Sequence, residues 1–449
     1  MNNYAELEKL LDEKQFHLLR SGVTEANSAD VAAMIENLPA EKAVLFFRVL
    51  PKDYAAEVFA DLYSDTQKSL IERLSDAEIF NVIEELFLDD AADFIEEMPA
   101  TIAKKVLNRA TKETREQINR LLRYPENSAG TKMTVEYISL KRGMTVAEAF
   151  DRIRQVGSTI ETIYTCYVTD SKRTLKGVVS VKDLLLSNLE QVIGDIMDTN
   201  LIITHTDTDQ EEVARLFEKY DLLNIPVIDS ESRLVGIITV DDVIDVVQEE
   251  ATEDFEIMAA MTPSDKPYLK TNVGRLAKNR ITWLIFLMVA AMITGGILET
   301  FEEAIAAVPL LVVFIPMLMD TGGNSGAQSS TMVIRGLALD EIRPRDIIKI
   351  IWKETRVGLL VGGILSAINF LRIWLTYGSN TDVFRVALVV SSTLLFTVVL
   401  ANVVGGILPL IARKCKIDPA VMAAPLITTV VDASSLLVFF TIAKILLRI

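Results

Sequence analysis

The chain has 449 residues, with 62 acidic against 45 basic side chains and a net charge of −17. That length predicts about three domains rather than one, and the acidity argues against nucleic acid, whose phosphates demand Lys and Arg. It also argues against docking on anionic lipid and suits the collection of cations.

Two cysteines, Cys166 and Cys415, and two histidines, His17 and His205, are too scattered to frame a disulfide network or a zinc site. Oxygen ligands dominate, which favours a hard cation such as Mg²⁺ or Ca²⁺. Nothing near the start has the pattern of a cleaved signal peptide, so the charged first part is expected in the cytoplasm.

Residues 1–126 read as an all-α helical repeat. Leu38, Leu50, Leu62, Leu74, Leu86 and Met98 recur every twelve residues, and Pro39, Pro51 and Pro99 follow three of them. Proline suits the first turn of a helix and not its interior, so each Leu-Pro or Met-Pro step stops one helix and starts the next. Stacked helical hairpins make a solenoid with no catalytic pocket of its own. Asp89 and Asp93, in an acidic stretch, are four residues apart and share a helix face. The plain reading is a solvated face; a bridging cation would relieve the repulsion between the two.

Residues 127–250 duplicate themselves. VTDSKRTLKGVVSVKDLL at 168–185 matches VIDSESRLVGIITVDDVI at 227–244. Met133 and Met197 lead the two units, helices are expected over 145–154 and 209–220, and β-branched alternation supports the strands. The order and duplication resemble a tandem pair of CBS domains. In that family a Ser/Thr-x-x-Asp at the end of a strand holds the ribose of an adenine nucleotide, which here implicates Ser180 with Asp183 and Thr239 with Asp242. The competing reading is a helix N-cap followed by an acidic first turn. ATP is thus a candidate cofactor.

Asp241, Asp242, Asp245, Glu249, Glu250, Glu253, Asp254 and Glu256 then follow with no intervening Lys or Arg. A solvated acidic helix explains such a run; so does a switch in which divalent cations let acidic surfaces pack together. Residues 251–279 read as a connecting, plug-like helix interrupted by Pro263 and Pro267. Lys270, Arg275, Lys278 and Arg280 would hold its far end inside the cell.

Residues 280–449 read as an α-helical transmembrane domain of five spans, 281–298, 304–319, 347–377, 386–412 and 419–443. Loop charges place the amino terminus inside and the carboxyl terminus outside. Asp432 is the only ionisable side chain in the last span. A carboxylate at that depth normally faces a water-filled path or a partner. Gly322, Gly323 and Gly326 are expected to interrupt their helix, which is tolerated only inside protein or beside a cavity. Pro409 and Pro425 are expected to kink the last two spans, while Gly362-Gly363 and Gly405-Gly406 allow close helix packing.

The solenoid, paired CBS units, acidic connector, five spans and TGGNSGAQSSTMVIR together resemble the MgtE family of Mg²⁺ channels over essentially the whole chain. The resemblance implies a homodimer in the cell membrane, shut when intracellular Mg²⁺ bridges the cytosolic domains. Mg²⁺ is then both cargo and regulator. It assigns Asp432 to the pore and Asp89, Asp93, Gly130, Asp209, Glu211, Asp242, Asp245, Glu250, Glu253 and Asp254 to Mg²⁺ sensing. Asp418 is implied to meet the connecting helix.

Two departures stand out: Ala327 and Ala424 occupy positions where the family usually has Asn. Thr428, one turn before Asp432, is a candidate replacement oxygen. A broader divalent transporter accepting Mn²⁺ or Co²⁺ and a non-conducting membrane-tethered sensor are the alternatives. The chain has no Ser/His/Asp set, P-loop or H-E-x-x-H, and is not expected to be an enzyme.

Overall fold

The computed structural model describes residues 2–264, 268–269, 271–378, 380–422 and 424–448, with backbone alone for 2–6. The chain divides into two compact units, Met1–Val247 and Gln248–Ile449.

Ten helices open the first unit: α1 (Asn2–Asp12), α2 (Phe16–Val23), α3 (Ser28–Glu36), α4 (Ala40–Val49), α5 (Lys52–Ala60), α6 (Ser64–Arg73), α7 (Asp76–Glu85), α8 (Leu88–Glu97), α9 (Ala100–Leu107) and α10 (Lys112–Leu121). The twelve-residue rhythm resides in their ends. Leu50, Leu74, Leu86 and Met98 are extended C-cap residues, and Pro39, Pro51 and Pro99 are the N-caps of α4, α5 and α9. Each apolar cap breaks the helix while its side chain stays in the core.

Glutamates tie one repeat to the next. Glu36 accepts the Tyr63 N–H at 2.9 Å and the Thr66 hydroxyl at 2.8 Å at the head of α6. Glu84 does the same for Thr111 at 2.8 Å and Thr114 at 3.1 Å at the head of α10. Helix N-terminal donors that lack intrahelical partners are thereby satisfied. Alternate helices stack, α3 on α5, α5 on α7, α4 on α6 and α8 on α10, as a solenoid requires.

The duplication appears as two three-stranded sheets. The first repeat holds β1 (Ser139–Lys141), α11 (Val146–Val156), β2 (Thr165–Thr169), β3 (Leu175–Ser180), α12 (Val181–Leu186) and α13 (Ile193–Ile196). The second holds β4 (Thr204–His205), α14 (Gln210–Tyr220), β5 (Asn224–Ile228), β6 (Leu234–Thr239) and the start of α15 (Val240–Met258). In each sheet the first pair of strands is parallel and the second antiparallel.

The two repeats exchange their leading segments. Thr134 and Ile237 share both backbone hydrogen bonds, at 2.8 and 2.9 Å, and Asp198 and Val178 do likewise at 2.8 and 3.0 Å. Glycine is needed at the crossing points. A Cβ on Gly177 would lie 2.7 Å from the Met197 sulfur, and one on Gly236 would lie 2.7 Å from that of Met133. The apolar core of the solenoid continues into the second repeat through Val213, Phe217, Ile225, Ile238 and Val243. The first repeat keeps a separate core of Ile138, Leu140, Val146, Cys166, Val168, Val179 and Leu184.

The second unit contains α16 (Val273–Thr300), α17 (Glu302–Ala307), α18 (Ile315–Ala338), α19 (Ile347–Tyr377), α20 (Thr381–Lys414) and α21 (Ala424–Leu447). Among the described residues, four segments are long and apolar enough to cross a membrane: Val273–Thr300, Pro344–Tyr377, Thr381–Lys414 and Pro419–Leu447.

The expected span at 304–319 is not among them. It is divided between α17, a 3₁₀ turn at Pro309–Phe314 and the head of α18. The helix that follows carries Asp320, Asn324 and Gln328, too polar a sequence to read as a lipid-facing span.

Other expectations are corrected as well. The glycines do not interrupt α18, which runs unbroken through Gly322, Gly323 and Gly326 because all three are buried between helices. The connector is not one helix. α15 stops at Met258 and α16 starts at Val273, with left-handed Ala260 (φ 53°) and Pro263 in the gap. Pro267 and Lys270 lie outside the described residues. Pro425 is the second residue of α21 and starts that helix instead of kinking it, whereas Pro409 does lie inside α20. Gly362 packs against Leu395 and Val398, but a Cβ on Gly363 would touch nothing.

Candidate ion pathway and regulatory carboxylates

In the second unit, α18 packs against both α20 and α21. The close approach depends on glycine. A Cβ on Gly322 would lie 2.6 Å from Thr397 Cγ2 and 2.9 Å from Val431 Cγ1, one on Gly323 2.8 Å from Thr428 Cγ2, and one on Gly326 2.7 Å from Ile427 Cγ2. A Cβ on Gly405 would collide with the Gly326 carbonyl oxygen.

Small hydroxyls satisfy themselves across the same seams. Ser325 donates to Asn402 Oδ1 at 2.6 Å, Ser329 to the Asn402 carbonyl at 2.8 Å and Ser330 to the Met422 carbonyl at 2.9 Å. The polar residues left over form an exposed row on α18: Asp320, Asn324, Gln328, Thr331 and Arg335. Spacings of three and four residues put them on one helix face.

Asp432 is half-buried on α21, which is antiparallel to α18 where Gly323 meets Thr428 and Gly322 meets Val431. One turn beyond Thr428 on α21 is Asp432, and one turn back from Gly323 on α18 is Asp320. The same register therefore sets the two carboxylates against each other, and they interact electrostatically. Thr428 turns its hydroxyl to the Pro425 carbonyl at 2.9 Å. Ala327 and Ala424 are half-buried methyls. Asp418 accepts the Ala420 N–H at 2.8 Å and caps the turn at Pro419–Met422.

In the first unit a second set of carboxylates gathers where α8 faces both repeats. Asp89 is 8% exposed, and its Oδ1 is buried without a hydrogen-bond partner, as is Oε2 of Glu161. Burial, reinforced by Asp242 and Asp90, pushes the Asp89 carboxyl well above the usual range. Burial followed by Asp242 raises Asp90 to about 7 and Glu161 to about 8. Burial also raises Asp242 to about 6 against the opposing Thr239 hydrogen bond. Asp93 and Asp245 are raised by burial and drawn back by Lys132, whose Nζ lies 3.4 Å from Asp93 Oδ2.

Asp89, Asp93, Asp242 and Asp245 are thus brought into one neighbourhood. Gly130, Asp209 and Glu211 form another: Ser128 bridges Asp209, Gly130 donates to the Thr206 carbonyl at 3.0 Å, Asp209 caps α14 and Glu211 pairs with Arg215. Glu250, Glu253 and Asp254 follow on α15 at helical spacing. Among the described residues no three acidic, His or Cys side chains are already posed around a metal position. The donors are nevertheless hard oxygens, the chemistry Mg²⁺ takes.

Sequence reasoning missed Glu136, Glu161 and Lys132 in this cluster and saw Asp90 only as part of the acidic stretch. Their partners lie dozens of residues away, and no local pattern signals that. Ser180 accepts the Asp183 N–H at 3.0 Å and donates to Asp183 Oδ2 at 2.6 Å, and Thr239 donates to Asp242 Oδ2 at 2.6 Å. Ser180 therefore caps α12, and Thr239 shares with it the hydroxyl-to-carboxylate bond.

Comparison with known proteins agrees with this layout segment by segment. Residues 315–442 match the MgtE divalent cation transporter domain, residues 26–127 the MgtE intracellular N domain, and residues 130–189 and 193–249 CBS domains. The magnesium transporter MgtE of Thermus thermophilus is 38% identical over 446 residues, covering 98% of each chain.

The chain belongs to the MgtE family.

The magnesium transporter MgtE of Bacillus subtilis is 33% identical over 438 residues, covering 97% of this chain and 95% of its own. A crystal structure described as the cytosolic domain of the Mg²⁺ channel MgtE in complex with ATP is 38% identical. It aligns with a TM-score of 0.52 over 54% of this chain and 99% of that one. The soluble part of a magnesium transporter aligns at 28% identity with a TM-score of 0.54, over 56% of this chain and 98% of that one. MgtE proteins are magnesium transporters and not enzymes, and this member has the N-terminal helical, CBS and membrane-helical parts of that family.

Proposed function

We propose that this protein carries Mg²⁺ into the cytoplasm along the exposed row of α18 and past Asp432, and that intracellular Mg²⁺ shuts it. The observation that carries the reading is the register of α18 on α21. It aligns the membrane-helix carboxylate with a row of Asn, Gln and Thr side chains on an otherwise apolar assembly. Lipid gives such a row no partners, so it faces water or a second copy of itself. In this reading α18 is the fifth crossing, at 24 residues long enough for about 30 Å of hydrocarbon. The protein is a homodimer in the cell membrane with its amino terminus inside and its carboxyl terminus outside.

Closure follows from the carboxylates. Mg²⁺ entering the Asp89–Asp93–Asp242–Asp245 neighbourhood, the Gly130–Asp209–Glu211 neighbourhood and the Glu250–Glu253–Asp254 stretch removes like-charge repulsion and favours the packed, shut form. Asp418 meets the connecting segment in that form. ATP at Ser180–Asp183 or Thr239–Asp242 is a further regulator, supported by the relative crystallised with ATP. The shut state is thus controlled by the ion that the open state delivers.

The test is Mg²⁺ entry into liposomes carrying the purified protein, followed with a trapped dye. Asp432→Ala is expected to abolish flux, and wild-type flux at equal incorporation would remove it from the pathway. Mn²⁺ run under the same gradient decides the second reading, a broader divalent transporter. Ala327 and Ala424 favour that reading, because they leave two fewer amides to hold the water shell of an ion that dehydrates reluctantly.

A further inference from the structure

The ion pathway contains a carboxylate beyond Asp432. Asp320 heads the exposed row of α18 and stands against Asp432 through the register fixed by Gly323 on Thr428 and Gly322 on Val431. Ordinary structural reasons for an acid do not account for it. It is the sixth residue of α18, past the first turn where a helix N-terminus rewards negative charge. Among the described residues no Lys or Arg forms an ion pair with it. The Arg372 guanidinium, which reaches the head of α18, is turned to Asn369 Oδ1 at 3.1 Å, the Met317 sulfur at 3.8 Å and the face of Phe314.

An unpaired carboxylate on a membrane helix is costly, and one set against a second carboxylate more so. A divalent cation between them removes both costs at once.

We infer that Asp320 is a second anionic ligand for the transported ion, paired with Asp432 across the α18–α21 seam, and that it sets the preference for divalent over monovalent cations. The inference rests on the pathway reading above. Two neighbouring carboxylates match a 2+ ion in charge, whereas a Na⁺ ion leaves one negative charge uncompensated. The pair also offsets what Ala327 and Ala424 lack: charge on the ion substitutes for amides on its water shell. Size discrimination among divalent ions gains nothing from this device. The protein is then expected to reject Na⁺ and K⁺ strictly and Mn²⁺ or Ca²⁺ less so.

The experiment is dye-reported Mg²⁺ entry into liposomes as a function of external Mg²⁺, with and without competing Na⁺. Wild type is compared with Asp320→Asn, Asp320→Glu and Asp432→Ala. Asp320→Asn is expected to raise the half-saturating Mg²⁺ concentration by roughly tenfold, with a smaller change in maximal rate, and to make entry sensitive to Na⁺. Asp320→Glu, which keeps the charge, is expected to stay near wild type. A loss shared equally by the Asn and Glu variants would mark a packing role and overturn the inference. So would wild-type saturation and Na⁺ insensitivity in Asp320→Asn while Asp432→Ala is dead, a result that leaves the pathway reading standing. Undiminished flux in Asp432→Ala would bring down the pathway reading, and this inference with it.

Discussion

Lys132 reaches back 39 residues to place its ammonium 3.4 Å from the Asp93 carboxylate, within a group of acids that otherwise repel one another. It is a built-in cation in a region that the family resemblance assigns to a diffusible one. Its side chain is 22% exposed and that of Asp93 44%, so the pair itself contributes only about 1 kcal/mol.

Replacing Lys132 by Gln should therefore lower the thermal midpoint of the full-length protein in Mg²⁺-free buffer by a few degrees. It should also enlarge the stabilisation that added Mg²⁺ provides. Differential scanning fluorimetry in detergent measures both. An unchanged Mg²⁺ response would mean that Lys132 does not share a site with the ion.

The same acids predict a pH dependence. Burial and mutual repulsion raise Asp242 to about 6, Asp90 to about 7 and Glu161 to about 8, so the folded protein holds protons that the unfolded chain releases. Their favourable contribution is complete below about pH 4, where carboxyls are protonated in either state. It disappears as the pH rises through about 6 to 8. Without divalent ions the thermal midpoint should fall between pH 5 and 8.5, and with Mg²⁺ the fall should shrink. The double variant Asp90→Asn, Glu161→Gln should flatten the Mg²⁺-free profile. A profile already flat in the wild type would sink the argument.

Gly405 and Gly363 differ in what a methyl group would meet. At Gly405 it would strike the carbonyl oxygen of Gly326, and at Gly363 it would meet open space. Gly405→Ala must push α18 and α20 apart, and overpacking of this kind costs roughly 1–3 kcal/mol or more when the neighbour is backbone. Size-exclusion profiles should show Gly405→Ala aggregated or poorly expressed and Gly363→Ala behaving as wild type. Equal behaviour of the two would refute the seam.

Much of this was legible in the sequence because it is local. The Leu and Pro rhythm of the solenoid acts through caps, and Thr145 with Glu148 forms the capping box that starts α11. The duplication was visible as repeated words, but the exchange of Met133 and Met197 between repeats was not. It depends on which glycine faces which sulfur across the fold. The glycines of α18 were misread for a related reason. Gly322-Gly323 suggests a break when the helix is considered alone, and becomes a contact surface once Val431 and Thr428 lie against it. Glu161 carried no signal at all, since its neighbours Asp90 and Asp242 are 71 residues before it and 81 after it.

The solenoid and the second α/β repeat share one apolar core, while the first repeat has its own. Cooperative unfolding follows contiguous burial, so the boundary between folding blocks falls inside the duplicated pair and not at its edge. The first repeat is a satellite able to loosen while the rest of the unit stays intact. It is joined to the second repeat by a small apolar interface of Tyr137, Tyr167, Leu175, Val178, Leu234 and Ile237, by the Tyr167 hydroxyl donating to Asn224 at 2.6 Å and by the exchanged segments at Met133 and Met197. A ligand that tightens the first repeat acts on the block holding Asp89 and Asp242 through that interface, which makes it the joint of the cytosolic machinery.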